Sequence, residues 1–576
     1  MRRETSNEDP VRAKLRHVLA LFFALLTSPP IGQGSPLLVE GGAVYTSSEA
    51  TPKNASILLR DGKIAFVGDA ARARQLQAGG ERVNLAGAFV FPGWADAHGH
   101  LLGLGKSLEI ANLRGAASAA EAARRIAELA ARLPAGSWVE ARGWDQNLWP
   151  GKTFPDARDL DAVVSDRPVA ARRVDGHALW VNSAALEKAG IRTETPDPAG
   201  GRILRRPDSS PSGVLVDNAA DLIDNVVPAP TPADLERRFV AAMKSCAKVG
   251  LTEVQDASGY GPEEIAVLER LAARHDLPIR VYATVSPEPE PLATFFAKGI
   301  LVDRGGGFLT VRAIKGYADG ALGSRGAALL ADYSDEPGKQ GLLVTAPDRL
   351  NEIARQAREK GWQLWIHAIG DRGNRVALDA FRKAVPDGSA ERRPRPDRPR
   401  IEHAQVIAPD DIPRFGREGV IASIQPTHAT SDMPWAEARV GPVRIKGAYA
   451  WRTLKSSGAR LAGGSDFPVE SENPLYGFYA AITRQDLAGR PAGGWRPSER
   501  LTRREALALF TSDAAYAAFE EHVRGRIAPG FAGDLTVFAA DPMTAVAKEI
   551  PTIPVVMTVV GGRVAYSREL GAEPGP

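Results

Sequence analysis

The sequence predicts an α/β protein built on a (β/α)8 barrel, with a small β-sandwich made from the two ends of the chain. Three observations carry that expectation. Eight short apolar, β-rich runs recur through the centre, from "GAFVFPGWADAHGH" to "RLAGGSDFP". Helical patterns such as "PDRLNEIARQAREKG" and "ALDAFRKAV" separate most of them, and that alternation is the mark of βα units and a parallel sheet. Alternating apolar and polar segments stand at both ends, "LLVEGGAVYTSS" and "ASILLRDGKIAFVGDA" at one and "GDLTVFAADP" and "VVMTVVGGRVAYS" at the other.

The order of elements follows. Arg12, Lys14 and Arg16 precede the apolar run "VLALFFALL", and small residues follow it. This basic, apolar, small order predicts a cleavable signal peptide over residues 1–34 and a secreted or periplasmic protein. A retained anchor or a buried helix is the competing reading of the same run. Residues 35–90 form the first part of the sandwich, with "RDGK" as a hairpin turn. The barrel occupies 91–520, and residues 521–576 complete the sandwich. Its eight strands are "GAFVFPGWADAHGH", "LTEVQDAS", "IRVYATVS", "VRAIKGYADG", "LWIHAIGD", "RIEHAQ", "VIASIQPTHA" and "RLAGGSDFP". Two further runs, "SWVEARGWD" and "VAARRVDGHALWVN", exceed eight and define an insertion of about 110–235 after strand 1. It would cap the barrel mouth, and the Pro-rich "VVPAPTPADLE" returns the chain to the barrel.

Composition narrows the function. A formal net charge of +3 leaves no electrostatic footprint for nucleic acid. The single cysteine, Cys246, excludes an internal disulfide. No segment beyond the N-terminal run is long and apolar enough to span a bilayer. A small-molecule substrate is the expected partner, and a homodimer is the expected assembly.

The chemistry sits where the strands end. A barrel of this kind carries its site at the C-terminal ends of its strands. There the chain places His98 and His100 (strand 1), Lys315 (strand 4), His367 (strand 5), His403 (strand 6) and Asp466 (strand 8). Each follows an apolar run, where an uncompensated polar group would cost several kcal/mol. Taken singly, each has a structural reading: a satisfied histidine, a snorkelling lysine, a helix-capping aspartate. Together, four imidazoles, a carboxylate and an amine at matching ends of five strands suit a divalent ion such as zinc. His98 and His100, two apart on one strand, point to one side and are read as metal ligands.

These stretches resemble the amidohydrolase superfamily, within it the amidohydrolase family 3 group of YtcJ-like proteins, which includes N-substituted formamide deformylases. The resemblance rests on "FPGWADAHGHLLGLG", "FPDARDLDAVVSDRPVAARRVDGHALWVNSAAL", "IKGYADGALGSRGAALL", "IHAIGDRGNRVALDAF", "RIEHAQ", "SIQPTHATSDMPW" and "GGSDFPVESENPLYGFYAAITR". It implies a metal-dependent hydrolase of carbon–nitrogen bonds other than peptide bonds, with two zinc ions per chain. His98 and His100 match ligands of one metal, and His367 and His403 those of the second. Lys315 matches a lysine that is carboxylated and bridges two metals. Asp466 matches the strand-8 aspartate that is both ligand and proton shuttle.

Substrate contacts are expected from the insertion and from loops after the strands. His177, in "VDGHALW", would polarise the scissile carbonyl and Asp175 would orient it; packing within the cap is the alternative. Trp144 and Trp149 would wall an apolar pocket or fill a core. Gln425 and His428 face the mouth from strand 7. Arg325 would hold a substrate carboxylate or make a structural salt bridge. Hydrolysis of an ester, lactone or cyclic amide, or metal and ligand binding without catalysis, remain rival functions.

Overall fold

The computed structural model describes residues 35–174, 176, 178–198, 200–385 and 395–568. The predicted signal peptide, Asp175 and His177 lie outside them. Three sheets organise the chain.

The barrel strands are β1 (Trp94–Gly99), β2 (Leu251–Tyr260), β3 (Arg280–Val285), β4 (Leu309–Tyr317), β5 (Gln363–Ala368), β6 (Arg400–His403), β7 (Ile421–Ile424) and β8 (Leu461–Gly463). Each pairs in parallel with the next, in chain order, from β1 to β8. All eight were read from the sequence, because each is a short apolar run bounded by turn residues. The seam between β8 and β1 is made just beyond β8. The Ser465 N–H and Oγ–H donate to the Asp96 carboxylate at 3.1 and 2.6 Å, and the Asp466 N–H donates to the His98 carbonyl at 2.7 Å. Gly464 permits that approach, since a Cβ there would collide with the His98 backbone nitrogen.

One expected strand divides in two. "GAFVFPGWADAHGH" gives Phe89–Pro92 to the terminal sheet and Trp94–Gly99 to the barrel. Gly93 is the pivot: its N–H donates to the Asp534 carbonyl at 2.9 Å, and a Cβ would collide with Thr252 Oγ1. The hydrophobic run is continuous across this crossing, so hydropathy alone does not reveal it.

The terminal sheet has eight strands, and Phe89–Pro92 pairs antiparallel with Leu535–Phe538 to join its N- and C-terminal parts. Its hairpins turn at Asp61-Gly62 and Gly561-Gly562, all four residues having positive φ, as the favoured two-residue turns demand. Leu37, Val39, Ile57 and Leu59 from one part pack with Leu535, Val537 and Val559 from the other.

Between helices α1 (Leu101–Glu109) and α2 (Pro232–Lys248) the chain builds a six-stranded sheet over residues 111–217. Its core centres on Trp144, Trp149 and Trp180. Glu109 binds Arg237 and Arg238, each at 2.7 Å, so α1 and α2 are clamped together where the insertion leaves and returns. Thr231 caps α2 with a reciprocal Thr231–Asp234 box, which fixes the return. Among the described residues no helix is long and apolar enough to cross a membrane.

Candidate metal centre

At the C-terminal ends of the barrel strands the side chains converge on Asp466. His98, the fifth residue of β1, is fully buried, with Nε2 3.5 Å from Asp466 Oδ1. His100 lies just past the strand, at the N-cap of α1, with Nε2 2.9 Å from the same oxygen. His428, on helix α3 (Pro426–Asp432) after β7, brings Nε2 to 3.5 Å from Asp466 Oδ2. Two trios therefore share one carboxylate. In His98, His100 and Asp466, and again in His403, His428 and Asp466, the ligand atoms lie within 4.8 Å of one another.

His367 on β5 stands beside His403, ring centres 4.5 Å apart. Lys315 on β4 is buried, its Nζ 5.5 Å from the centre of the Tyr317 ring. Burial lowers the Lys315 ammonium from its ordinary range, although Glu402 and Asp466 oppose the shift. Burial likewise lowers His367 to about 3 and, with His367 and His98 nearby, pushes His403 well below the usual imidazole range. Neutral imidazole is the form that ligates a metal. Burial acts against ionisation of Asp466, yet the imidazoles of His100 and His98 beside it hold its carboxyl well below the usual range.

The backbone is bent to serve the cluster. His403 and Asp466 adopt left-handed φ values of 73° and 62°, a conformation that costs non-glycine residues on the order of 1–3 kcal/mol and concentrates at functional sites.

The residues fit a metal. Buried polar atoms are almost always hydrogen-bonded, but the buried Nε2 atoms of His98, His367 and His428 have no hydrogen-bond partner. The other ring nitrogen is occupied in three of the histidines. His98 Nδ1 meets Glu402 Oε2 at 2.5 Å, His100 Nδ1 meets Ser258 Oγ at 3.2 Å, and His403 Nδ1 meets Gln425 Oε1 at 2.8 Å. Outer partners that occupy one nitrogen and leave the other inward are what metal-binding imidazoles require. Imidazole and carboxylate donors suit zinc and related divalent ions.

The structure thus gathers His98, His100, Lys315, His367, His403 and Asp466, as their strand ends imply, and places Gln425 behind His403. His428 comes closer than the sequence suggests and completes the second trio. Trp144 is fully buried, its Nε1 donating to the Ala171 carbonyl at 2.7 Å. It belongs to the core of the insertion rather than to a pocket wall, because Trp149, Trp180 and Phe154 enclose it. Trp149 is likewise buried there. Arg325 is held by Asp335 and Glu336, each at 3.0 Å, which is its structural reading rather than a free carboxylate clamp. Asp175 and His177 lie outside the described residues.

Glu402 and Ser258 were missed. Alternation along a strand sets Glu402 and His403 on opposite faces, and only the left-handed turn at His403 lets both serve one site. Glu402 is a carboxylate with an arginine two residues before it, in "RIEHAQ", and that pairing was the available signal.

The profile of the amidohydrolase family matches residues 81–566, which spans the barrel, the insertion, most of the C-terminal segment and only the end of the N-terminal one. The chain belongs to the amidohydrolase family. It is 34% identical over 544 residues to YtcJ of Bacillus subtilis (strain 168), an amidohydrolase by name, covering 92% of this chain and 99% of that protein. It is 26% identical over 531 residues to the N-substituted formamide deformylase of Arthrobacter pascens, covering 89% of this chain and 95% of that one. Among solved structures, a metal-dependent hydrolase from Pyrococcus horikoshii OT3 superposes with a TM-score of 0.74 at 28% identity, over 89% of this chain and 99% of that one. This amidohydrolase is therefore a hydrolase of a metal-dependent kind, and the two trios around Asp466 are its candidate metal-binding residues.

Proposed function

We propose that this amidohydrolase hydrolyses an amide-type carbon–nitrogen bond in a small molecule, such as an N-substituted formamide or an N-acyl amine. One observation carries the reading: a single buried carboxylate, Asp466, is shared by two imidazole pairs at the mouth of the barrel. The likeness to an N-substituted formamide deformylase supports the choice of bond.

His98, His100 and Asp466 would hold one divalent metal, and His367, His403 and Lys315 a second, zinc in each case. When bound, such ions polarise a carbonyl and lower the pKa of a water from 15.7 to about 7. Asp466 accepts a proton from the attacking water as the new C–O bond forms. It returns that proton to the nitrogen as the C–N bond breaks, which releases a carboxylic acid and an amine. Lys315, buried among His98, Glu402 and Asp466, would react through its neutral amine with carbon dioxide. Loss of one proton would leave a carbamate, which would offer anionic oxygen donors that an amine lacks. Gln425 keeps the His403 ring in place. His428 would meet the substrate carbonyl through its Nε2, which lies 3.5 Å from Asp466 Oδ2 and has no hydrogen-bond partner.

A panel of N-substituted formamides, N-acyl amines, esters, lactones and cyclic amides, offered to the metal-loaded chain, tests the function. Turnover of linear amides ahead of the other classes is expected. Turnover confined to esters or lactones, or none at all, refutes it.

We also propose that residues 1–34 direct export and are removed, on the basic, apolar, small-residue order noted above. N-terminal sequencing should find a mature chain that begins near Ser35. Cytoplasmic protein that keeps Met1 through Leu26 contradicts this.

A further inference from the structure

A charged pair lies buried inside the barrel beneath the metal-binding layer. Arg400 and Glu402, two residues apart on β6, are both completely buried. The guanidinium spends its donors on four strands. It reaches Glu402 on β6 at 2.9 Å, Gln255 on β2 at 2.6 Å, the Ala97 carbonyl on β1 at 2.6 Å and Ser423 on β7 at 3.0 Å. Its flat face lies 3.6 Å over the Trp365 ring on β5. Strands β1 and β6 are not neighbours, so the Glu402–His98 contact crosses the barrel interior.

We propose that Arg400 and Glu402 are a positioning pair that fixes His98 in the tautomer with Nδ1 protonated and Nε2 free for the metal. The inference rests on reading His98 as a ligand. Beside a permanently charged guanidinium that donates at 2.9 and 3.3 Å, Glu402 is an ionised carboxylate, and such a group only accepts. The hydrogen at the 2.5 Å contact therefore belongs to His98 Nδ1. His100 and His403 have the neutral partners Ser258 and Gln425, which impose no such constraint, since a hydroxyl or an amide can donate or accept. Of these three, His98 is thus the one whose Nδ1 meets a carboxylate. The arginine fork is essential to this. A lysine at 400 has no planar set of donors for Glu402, Gln255, Ala97 and Ser423 together.

The test compares metal retention with fold. Wild type, Glu402→Gln and the double variant Arg400→Met/Glu402→Gln are loaded with zinc and titrated with a competing chelator. The unfolding midpoint of each metal-free chain is measured alongside. The double variant leaves no unpaired buried charge, so it carries the test where the single one folds poorly. Zinc affinity should fall about 10–100-fold in the variants, without a matching fall in the metal-free midpoint of the double variant. Wild-type affinity in both variants overturns the inference while the ligand reading stands. A wild type that takes up no zinc overturns both. A third measurement needs no variant at the pair: 15N spectra of the zinc-loaded chain labelled at histidine, with the His98 signals identified by their loss in His98→Asn. A proton on His98 Nδ1 is expected, and a proton on Nε2 overturns the assignment.

Discussion

The backbone N–H of Asp466 donates to the carbonyl of His98 at 2.7 Å, so one bond both closes the barrel and joins two candidate ligands. Site and fold are coupled at that seam. A change that opens the seam should disturb metal binding even when no ligand is altered.

Gly464 tests this coupling. Its missing Cβ leaves room for the His98 backbone nitrogen and Asp96 Oδ1. Gly464→Ala should destabilise the metal-free chain by about 1–3 kcal/mol, the usual range for overpacking a tight site, and should lower metal content as well. Denaturant unfolding and elemental analysis read the two effects. Full metal content in a destabilised chain would separate seam from site.

Asp466→Asn separates ligation from proton transfer. An amide keeps an oxygen for a metal but cannot carry the proton. Turnover should fall by about 10²–10⁴-fold, the usual worth of a positioned acid–base group, while a larger share of the metal remains. Near-native turnover with metal bound would remove Asp466 from the proton path.

His428→Ala distinguishes a substrate contact from a ligand. As a contact to the carbonyl, its loss should lower kcat/KM by about 10–100-fold, or roughly 1.4–2.7 kcal/mol, with metal content unchanged. Loss of one metal equivalent would instead make His428 a ligand through the second trio.

Lys315→Ala should lose the bridged pair of metals and most activity. Burial disfavours the Lys315 ammonium, although Glu402 and Asp466 oppose the shift, and the neutral amine is the form that takes up carbon dioxide. Acetate or propionate should restore part of the activity by occupying the vacated space as a substitute bridge. Unimpaired metal content and turnover in the variant would show that Lys315 does not bridge.

The barrel was legible because its strands are short apolar runs that each stop at a polar residue, as at His367, His403 and Asp466. The division at Gly93 was not, because the apolar run from Phe89 to Ala97 passes from one sheet to another without a break in hydropathy. The candidate ligands were legible as residue types at strand ends. Their outer partners were not, since nothing in the spacing of Ser258 or Glu402 reports which ring nitrogen each will meet. His428 was underweighted for a related reason: it rides on a helix after β7, not on a strand end. Trp144 and Arg325 show the opposite case. Their residue types suggest recognition, but an aromatic cluster and two nearby carboxylates had already engaged them.

His98, His100, His367, His403 and Asp466 are proposed to hold divalent metal for hydrolysis. Elemental analysis of the purified, unchelated chain tests it most directly. Close to two equivalents of divalent metal per chain are expected, zinc foremost, falling when His98 and His100 are both changed to Asn. A wild-type chain with no transition metal, and none taken up on reconstitution, would contradict it.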